Sequence, residues 1–120
     1  MKRMLVLAAV AGALFAAAAL AQSPAAKPDL AKAQTIVKDV CSACHGMDGN
    51  SASPVNPSIA GQPAEYITRQ LTHFQTGMRV NPVMQGMAAT LTPEDMKALG
   101  LYFSQQKPKG LAASVCTKSS

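Results

Sequence analysis

The sequence predicts a small all-α domain of three to five helices, and three stretches with helical patterns support that prediction. The first runs from about Pro28 to Cys44, where apolar residues recur at spacings of three and four, as on one face of an amphipathic helix. The second covers residues 63–76 and has the same spacing. The third starts at Thr92 with a strong helix-start signal. No strand–helix–strand pattern accompanies them.

The first predicted helix begins at Pro28 or Asp29 and is stopped by Gly46, because glycine readily adopts the conformations that end helices. Its apolar face consists of Leu30, Ala33, Ile36, Val37, Val40 and Cys41. The helix is therefore expected to place Cys41 and Cys44 on its last turns.

The second predicted helix spans Pro63 to Thr76, with Pro63 at its first helical position and Gly77 at its end. Its apolar face consists of Tyr66, Ile67, Gln70, Leu71 and Phe74. Residues 46–62, which precede it, are interrupted by glycine and proline, and this composition predicts an irregular loop.

The third predicted helix takes Thr92 as its N-cap and Pro93 as its first residue, and runs to about Gln106. Two acidic residues follow the proline, which suits the positive N-terminal end of a helix. Residues 78–91 before it show no clear period, and we expect a loop there.

Residues 41–45 read C-S-A-C-H, a C-x-x-C-H pattern typical of covalent haem attachment. Thiols one helical turn apart lie on the same face, so both can add to the two vinyl groups at one porphyrin edge. The imidazole of His45 then falls beneath the iron. The pattern predicts one covalently bound haem with His45 as an axial ligand.

Other interpretations of this pattern are a redox-active dithiol, half of a zinc site, or a chance match. A redox dithiol requires a strand–helix–strand context that the sequence lacks. A structural zinc site requires a second pair of ligands, whereas the only other Cys and His are Cys116 and His73. Haem attachment is therefore the favoured interpretation.

Residues 1–21 predict a Sec-type signal peptide. Lys2 and Arg3 precede an apolar stretch, residues 4–20, that leads into an A-L-A cleavage site, with Gln22 as the expected mature N-terminus. A retained membrane anchor is the alternative, although the stretch is at the short limit for a span. No lipobox cysteine follows. We therefore expect export to the periplasm of a Gram-negative bacterium, with no stable membrane insertion after cleavage.

The mature chain is expected to contain a linker at residues 22–28, a single domain at 29–107 and a tail at 108–120. The formal charge of +5 falls to +3 when Lys2 and Arg3 leave with the signal peptide. The remaining basic residues are spread along the chain without interleaved aromatics, so nucleic-acid binding has no support.

A ligating histidine usually donates the N–H of its second ring nitrogen to a neighbouring acceptor, and a carbonyl of residues 46–62 is expected to accept from the Nδ1–H of His45. A thioether axial ligand is available in the next loop, which contains Met78, Met84 and Met87. The alternative is that these methionines fill gaps in a small core. His73 is a further candidate ligand, but a lone His at a helix border is more often exposed or satisfied by a neighbour.

Several segments follow one another in a specific order and spacing: C-S-A-C-H-G at 41–46, D-G-N at 48–50, P-S-I-A-G-Q at 57–62, Tyr66, Gln70-Leu71, Phe74, G-M-R-V-N at 77–81, Met84, Leu91-Thr92 and Y-F-S at 102–104. With these segments the chain resembles the class I c-type cytochromes, most closely the single-haem modules of the cytochrome c4/c5 and c553-like group. The match covers nearly all of residues 29–106. It implies a small all-α class I fold around one haem c, with the first and last helices crossing near-perpendicularly and one haem edge exposed.

The resemblance also implies a set of haem-site residues: Cys41 and Cys44 as thioether residues, His45 and Met84 as axial ligands of the iron, Pro57 as the carbonyl that accepts from His45, and Arg79 and Gln62 as donors to the propionates. The cytochrome c4 proteins carry two such modules in tandem, and this sequence holds one. Cys116 has no counterpart in the family. A disulfide-linked dimer through Cys116, a free thiol and a tail residue of no consequence are the alternatives for it.

The implied function is a one-electron carrier, or the electron-accepting haem subunit of a periplasmic dehydrogenase, and not an enzyme. Its expected partners are redox proteins: a dehydrogenase, a membrane oxidase or a cytochrome complex. The alternative is a haem enzyme or gas sensor with a vacant or displaceable distal position, although no distal His/Arg pair suited to peroxide cleavage is visible. Copper binding by Met84 and Met87 is a third interpretation, which leaves the cysteine pair and His45 unexplained.

Overall fold

The computed structural model describes residues 26–110, and every regular element in that range is helical. The elements are α1 (Leu30–Ile36), a π-helical turn (Val37–Cys41), α2 (Ser42–His45), α3 (Ala64–Thr76), α4 (Pro82–Ala88) and α5 (Pro93–Ser104). The all-α prediction is confirmed. The predicted signal peptide and Cys116 lie outside the described residues. Between residues 26 and 110, no helix has the length and apolar character to cross a membrane.

Helix α1 begins where the sequence predicts, because the Asp29 side chain accepts a hydrogen bond from the Lys32 amide at 3.0 Å. The helical path continues through the π-helical turn into α2 and ends at Gly46, whose φ is 77°. The predicted single helix is therefore interrupted by a wider turn, which apolar spacing alone did not indicate.

Helix α3 begins one residue later than expected. Pro63 has an extended ψ of 136° and lies before the helix instead of at its first position. Its other end is as predicted, since Gly77 adopts the left-handed conformation (φ 76°) that commonly ends helices. Ile67 and Phe74 are buried, whereas Tyr66 is 40% exposed.

Helix α4 corrects the expectation of a loop over residues 78–91. The Asn81 side chain caps the helix by accepting from the Met84 amide at 3.0 Å, and Pro82 occupies the first turn. The helix has only seven residues, too few to display a hydrophobic period. The Asn-Pro pair was the available signal for its start.

Helix α5 starts as predicted with a capping box. The Thr92 hydroxyl accepts from the Asp95 amide, and the Asp95 carboxylate accepts from the Thr92 amide, both at 3.1 Å. The helix ends at Ser104, slightly before the predicted end at about Gln106.

The core lies where α1 and α3 both pack against α5, and α4 packs against α3. Its buried residues are Ala33, Val37, Ile67, Ala98, Leu99 and Phe103. The approach of α3 to α5 is close, because a Cβ atom added at Gly100 would lie 2.5 Å from the Ala64 carbonyl oxygen. An ion pair of 2.5 Å between Lys32 and Asp95 joins α1 to α5. This frame holds the segment of residues 41–45 against the core.

Candidate haem site

The two cysteines and the histidine lie at the end of a helical path whose inward positions recur every four residues. Ala33 and Val37 are fully buried, Cys41 is half-buried against the core, and His45 is buried. In a regular α-helix, residues four apart drift around the axis by about 40° per step. A π-helix has more residues per turn, so the turn at Val37–Cys41 absorbs this drift. The turn thereby keeps Cys41 and His45 on the core side.

The thiols of Cys41 and Cys44 are both free and differ in their surroundings. Cys41 packs against the core, and burial raises the pKa of its thiol to about 11. Cys44 is exposed on the next turn. Within residues 26–110 neither sulfur is held in a disulfide, and both can form thioether bonds.

The ring of His45 is oriented by the backbone of the following loop. Its Nδ1 lies 2.8 Å from the carbonyl oxygen of Pro57. A carbonyl only accepts, so Nδ1 carries the proton and the lone pair of Nε2 is left to bind a metal. Free thiols on adjacent helical turns and an imidazole with a free Nε2 are the donor set that a covalently attached iron porphyrin requires.

The loop that brings Pro57 to His45 turns tightly on Gly46 and Gly49. A Cβ atom added at Gly49 would lie 2.8 Å from the Ala60 amide nitrogen, and the carbonyl of Gly49 accepts from the amides of Ile59 and Ala60 at 2.7 and 3.0 Å. The Ser51 hydroxyl donates to the carbonyl of Cys44 at 3.0 Å. These contacts fold the loop back on the end of α2.

A segment after α5 fastens the start of the same loop. The Asn50 side chain donates to the Lys107 carbonyl at 3.0 Å and accepts from the Lys109 amide at 2.7 Å. The Lys109 ammonium lies 2.6 Å from the Asp48 carboxylate. This contact, with the Asn50 amide, lowers the pKa of Asp48 to about 2. Sequence reasoning missed this link because its partners are far apart in the chain.

Met84 is the least exposed of the three methionines predicted to compete for the distal position. Its side chain is half-buried on α4, whereas Met78 is 74% and Met87 is 44% exposed. The Asn81 cap fixes the backbone at Met84 through a 3.0 Å hydrogen bond. His73, the rejected alternative, is half-buried near the end of α3.

Arg79 and Gln62, the two expected donors to the propionates, differ in how firmly the structure holds their side chains. The Arg79 guanidinium donates to Gln70 Oε1 at 2.7 Å and lies 4.7 Å above the Phe74 ring, so α3 fixes its position. Gln62 is exposed in the turn after Gly61. Within residues 26–110, the structure therefore joins His45 to Pro57 and ties Arg79 to α3, while the roles of both donors stay predictions.

Comparison with known proteins identifies the family. The family model described as "Cytochrome C oxidase, cbb3-type, subunit III" matches residues 28–103. The chain belongs to this family of c-type cytochrome domains. Its cofactor is therefore covalently bound haem c with iron, and the predicted resemblance and class I fold are confirmed. The role of each site residue stays a prediction.

The relatives include electron-accepting subunits. The "Thiosulfate dehydrogenase electron acceptor" of Thiomonas intermedia (strain K12) is 40% identical over 118 residues, covering 98% of this chain and 50% of that protein. The "Cytochrome subunit of sulfide dehydrogenase" of Chlorobaculum tepidum is 38% identical over 95 residues, covering 79% of this chain and 86% of that protein.

A solved structure shares the fold. The cytochrome c4 of Acidithiobacillus ferrooxidans has a TM-score of 0.58 and 36% identity, covering 62% of this chain and 48% of that chain. This chain spans half or less of the length of several curated relatives that it matches, including the cytochrome c4 of Pseudomonas aeruginosa at 34%.

Proposed function

We propose that this cytochrome domain is a one-electron carrier, or the electron-accepting haem subunit of a dehydrogenase, and not an enzyme. The observation that carries the proposal is the bond from His45 to Pro57 beside two free thiols, in a chain of the c-type cytochrome family. Relatives named as an electron acceptor and as a cytochrome subunit support it. Bound haem supplies an Fe(III)/Fe(II) couple for transfer of one electron.

The iron ligands proposed are His45 and Met84, and the surroundings of these two side chains support the proposal. His45 presents Nε2 because Nδ1 is engaged by Pro57. Met84 is the methionine of its segment with the least exposed side chain. A thioether ligand favours Fe(II) and raises the reduction potential. If His45 and Met84 both bound the iron, no coordination position would be left for a substrate, which suits a carrier.

The thioether bonds are assigned to Cys41 and Cys44, and two further side chains are assigned to the haem carboxylates. The Arg79 guanidinium donates one N–H to Gln70, and the other N–H groups of its planar fork can bind a carboxylate. Gln62 is the second, exposed donor.

The place of action proposed is the bacterial periplasm, after cleavage of residues 1–21. Its partners are then other redox proteins: a dehydrogenase that supplies electrons and a membrane oxidase or cytochrome complex that accepts them. Two haem propionates bring the charge of +3 on the mature chain close to neutral. A disulfide-linked dimer through Cys116 is one alternative for this cysteine, and non-reducing electrophoresis tests it. A dimer band that persists in Cys116→Ser would rule this cysteine out.

The test is a redox titration of the holoprotein combined with exposure of the reduced form to carbon monoxide. A carrier should titrate as a single one-electron couple, and its spectrum should not respond to carbon monoxide because the distal position is filled. Rapid carbon monoxide binding by the wild-type protein would overturn the carrier proposal and favour a sensor or enzyme with an open distal position.

A further inference from the structure

One side-chain amide ties helix α3 to the end of helix α4. Gln75, in the last turn of α3, directs its Nε2 at the carbonyl oxygens of Ala88 at 2.9 Å and Leu91 at 2.8 Å, with a longer approach to Ala89 at 3.5 Å. A primary amide has two N–H donors. Both are used on the carbonyls that surround the C-terminus of α4.

The Ala88 carbonyl ends α4 and accepts from the Leu91 amide at 3.2 Å as well as from Gln75, and the Leu91 carbonyl lies just beyond the helix. The last four carbonyls of an α-helix receive no hydrogen bond from an amide of the same helix, and the C-terminus carries a partial negative charge. Ala88 is the last residue of α4 and is fully buried. The Gln75 amide therefore adds a side-chain donor at the carbonyl end of α4, beside the turn hydrogen bond from the Leu91 amide.

The position of α4 depends on such contacts because the helix is short. It has seven residues, and helices of this length are not stable alone in water. Asn81 caps its N-terminal end, Gln75 binds its C-terminal end, and its packing partner is α3. Met84 lies between the two anchors.

We propose that Gln75 is a positioning residue that holds α4, and with it the sulfur of Met84, at the distal side of the haem iron. This inference rests on the proposed ligation by Met84. Gln75 acts through the carbonyls of Ala88 and Leu91, and no direct contact with the iron is required of it. The chemistry required at this position is a hydrogen-bond donor, whatever the length of the side chain that carries it.

The donor requirement distinguishes the inference from simple packing. Gln75→Glu keeps the shape of the side chain and replaces two donors with acceptors that face carbonyl oxygens. Gln75→Lys restores donors on a different carbon chain, and basic side chains suit a helix C-terminus. Gln105→Glu is a matched control, since it introduces the same charge at the end of α5 at an exposed position whose side chain forms no hydrogen bond within residues 26–110.

The experiment measures two properties of the holoproteins: amide hydrogen exchange across Met84–Ala88, and the affinity of the oxidised iron for cyanide. Loss of one ordinary hydrogen bond corresponds to roughly a tenfold change in an equilibrium constant. Gln75→Glu should therefore raise exchange in α4 and cyanide affinity by roughly tenfold each. Gln75→Lys and Gln105→Glu should stay close to wild type in both.

The possible outcomes distinguish the positioning role of Gln75 from the proposed ligation by Met84. If Met84→Ala leaves cyanide affinity unchanged, the assignment of Met84 as ligand fails, and the positioning role fails with it. If Met84→Ala raises cyanide affinity but Gln75→Glu changes neither exchange nor affinity, only the positioning role is overturned. An equal response to Gln75→Glu and Gln75→Lys would also overturn it, because packing and not donation would then explain the effect.

Discussion

The Nδ1 atom of His45 lies 2.8 Å from the carbonyl oxygen of Pro57, across a separation of twelve residues. The bond fixes the imidazole tautomer, turns Nε2 away from the loop and increases the basicity of the ring. It connects the end of α2 to a loop that has no regular structure of its own. The geometry of that loop therefore decides how well His45 can serve as a ligand.

Gly46 is expected to be the most sensitive point of this loop. Its φ of 77° and ψ of 156° belong to a region essentially restricted to glycine, and a Cβ atom would lie 2.5 Å from the Asn50 carbonyl oxygen. Gly46→Ala should lower the free energy of unfolding by about 2 kcal/mol or more, measured by urea denaturation of the holoprotein.

Gly77→Ala is the matched control for that substitution. Gly77 has a similar φ of 76°, but the nearest atom to an added Cβ is the end of the Gln85 side chain at 3.9 Å. The cost there should be only about 1 kcal/mol, from the left-handed backbone alone. Equal losses at the two glycines would contradict the role assigned to the crowded turn at Gly46.

Acid should loosen the link between the loop and the segment after α5. The hydrogen bond from Lys109 and the Asn50 amide lower the pKa of Asp48 from 3.8 to about 2. A folded pKa below the unfolded value stabilises the fold fully above about pH 4, and this stabilisation is lost as the pH falls towards 2. The thermal unfolding midpoint should therefore fall across this interval.

Asp48→Asn should flatten that part of the profile, because the variant has no carboxylate to protonate. Asp39→Asn, at an exposed acidic residue without an ion pair in residues 26–110, should keep the wild-type slope. Identical slopes for wild type and Asp48→Asn between pH 4 and 2 would show that the Asp48–Lys109 pair does not contribute.

Covalent attachment should depend on both thiols. The combined variant Cys41→Ala and Cys44→Ala should yield no holoprotein, and its far-ultraviolet circular dichroism should show a largely unfolded chain, because the porphyrin completes the core of a small domain. The denatured wild-type protein should keep its haem through acid–acetone extraction. Haem in the organic phase would contradict thioether attachment.

The local signals in the sequence were sufficient for the starts of α1 and α5. Asp29 and the Thr92–Asp95 capping box act within three residues, so the sequence itself specifies them. The contact from His45 to Pro57 was expected from the family resemblance and not from any period in the loop. The prediction of the fold class, which is confirmed, used both the local helix signals and the family resemblance.

Features that depend on tertiary contacts were missed. The π-helical turn keeps Cys41 and His45 on the side of α1 that packs on the core, and the sequence alone does not show which side that is. Helix α4 is too short to show a hydrophobic period. The Gln75 amide and the Asn50 link join residues 13 to 59 positions apart, beyond the reach of local patterns. Pro63 lies outside α3 because its extended ψ places it at the N-cap.

The most direct test of the central claim, a haem iron ligated by His45 and Met84, is the reduction potential of Met84→Ala beside that of Met87→Ala. Loss of a thioether ligand removes the preference for Fe(II), so Met84→Ala should have a markedly lower potential and should open the iron to cyanide. Met87 lies three residues further along α4 and is 44% exposed. Met87→Ala should therefore leave the potential and the cyanide affinity close to wild type. A fall in potential with Met87→Ala but not with Met84→Ala would contradict the claim.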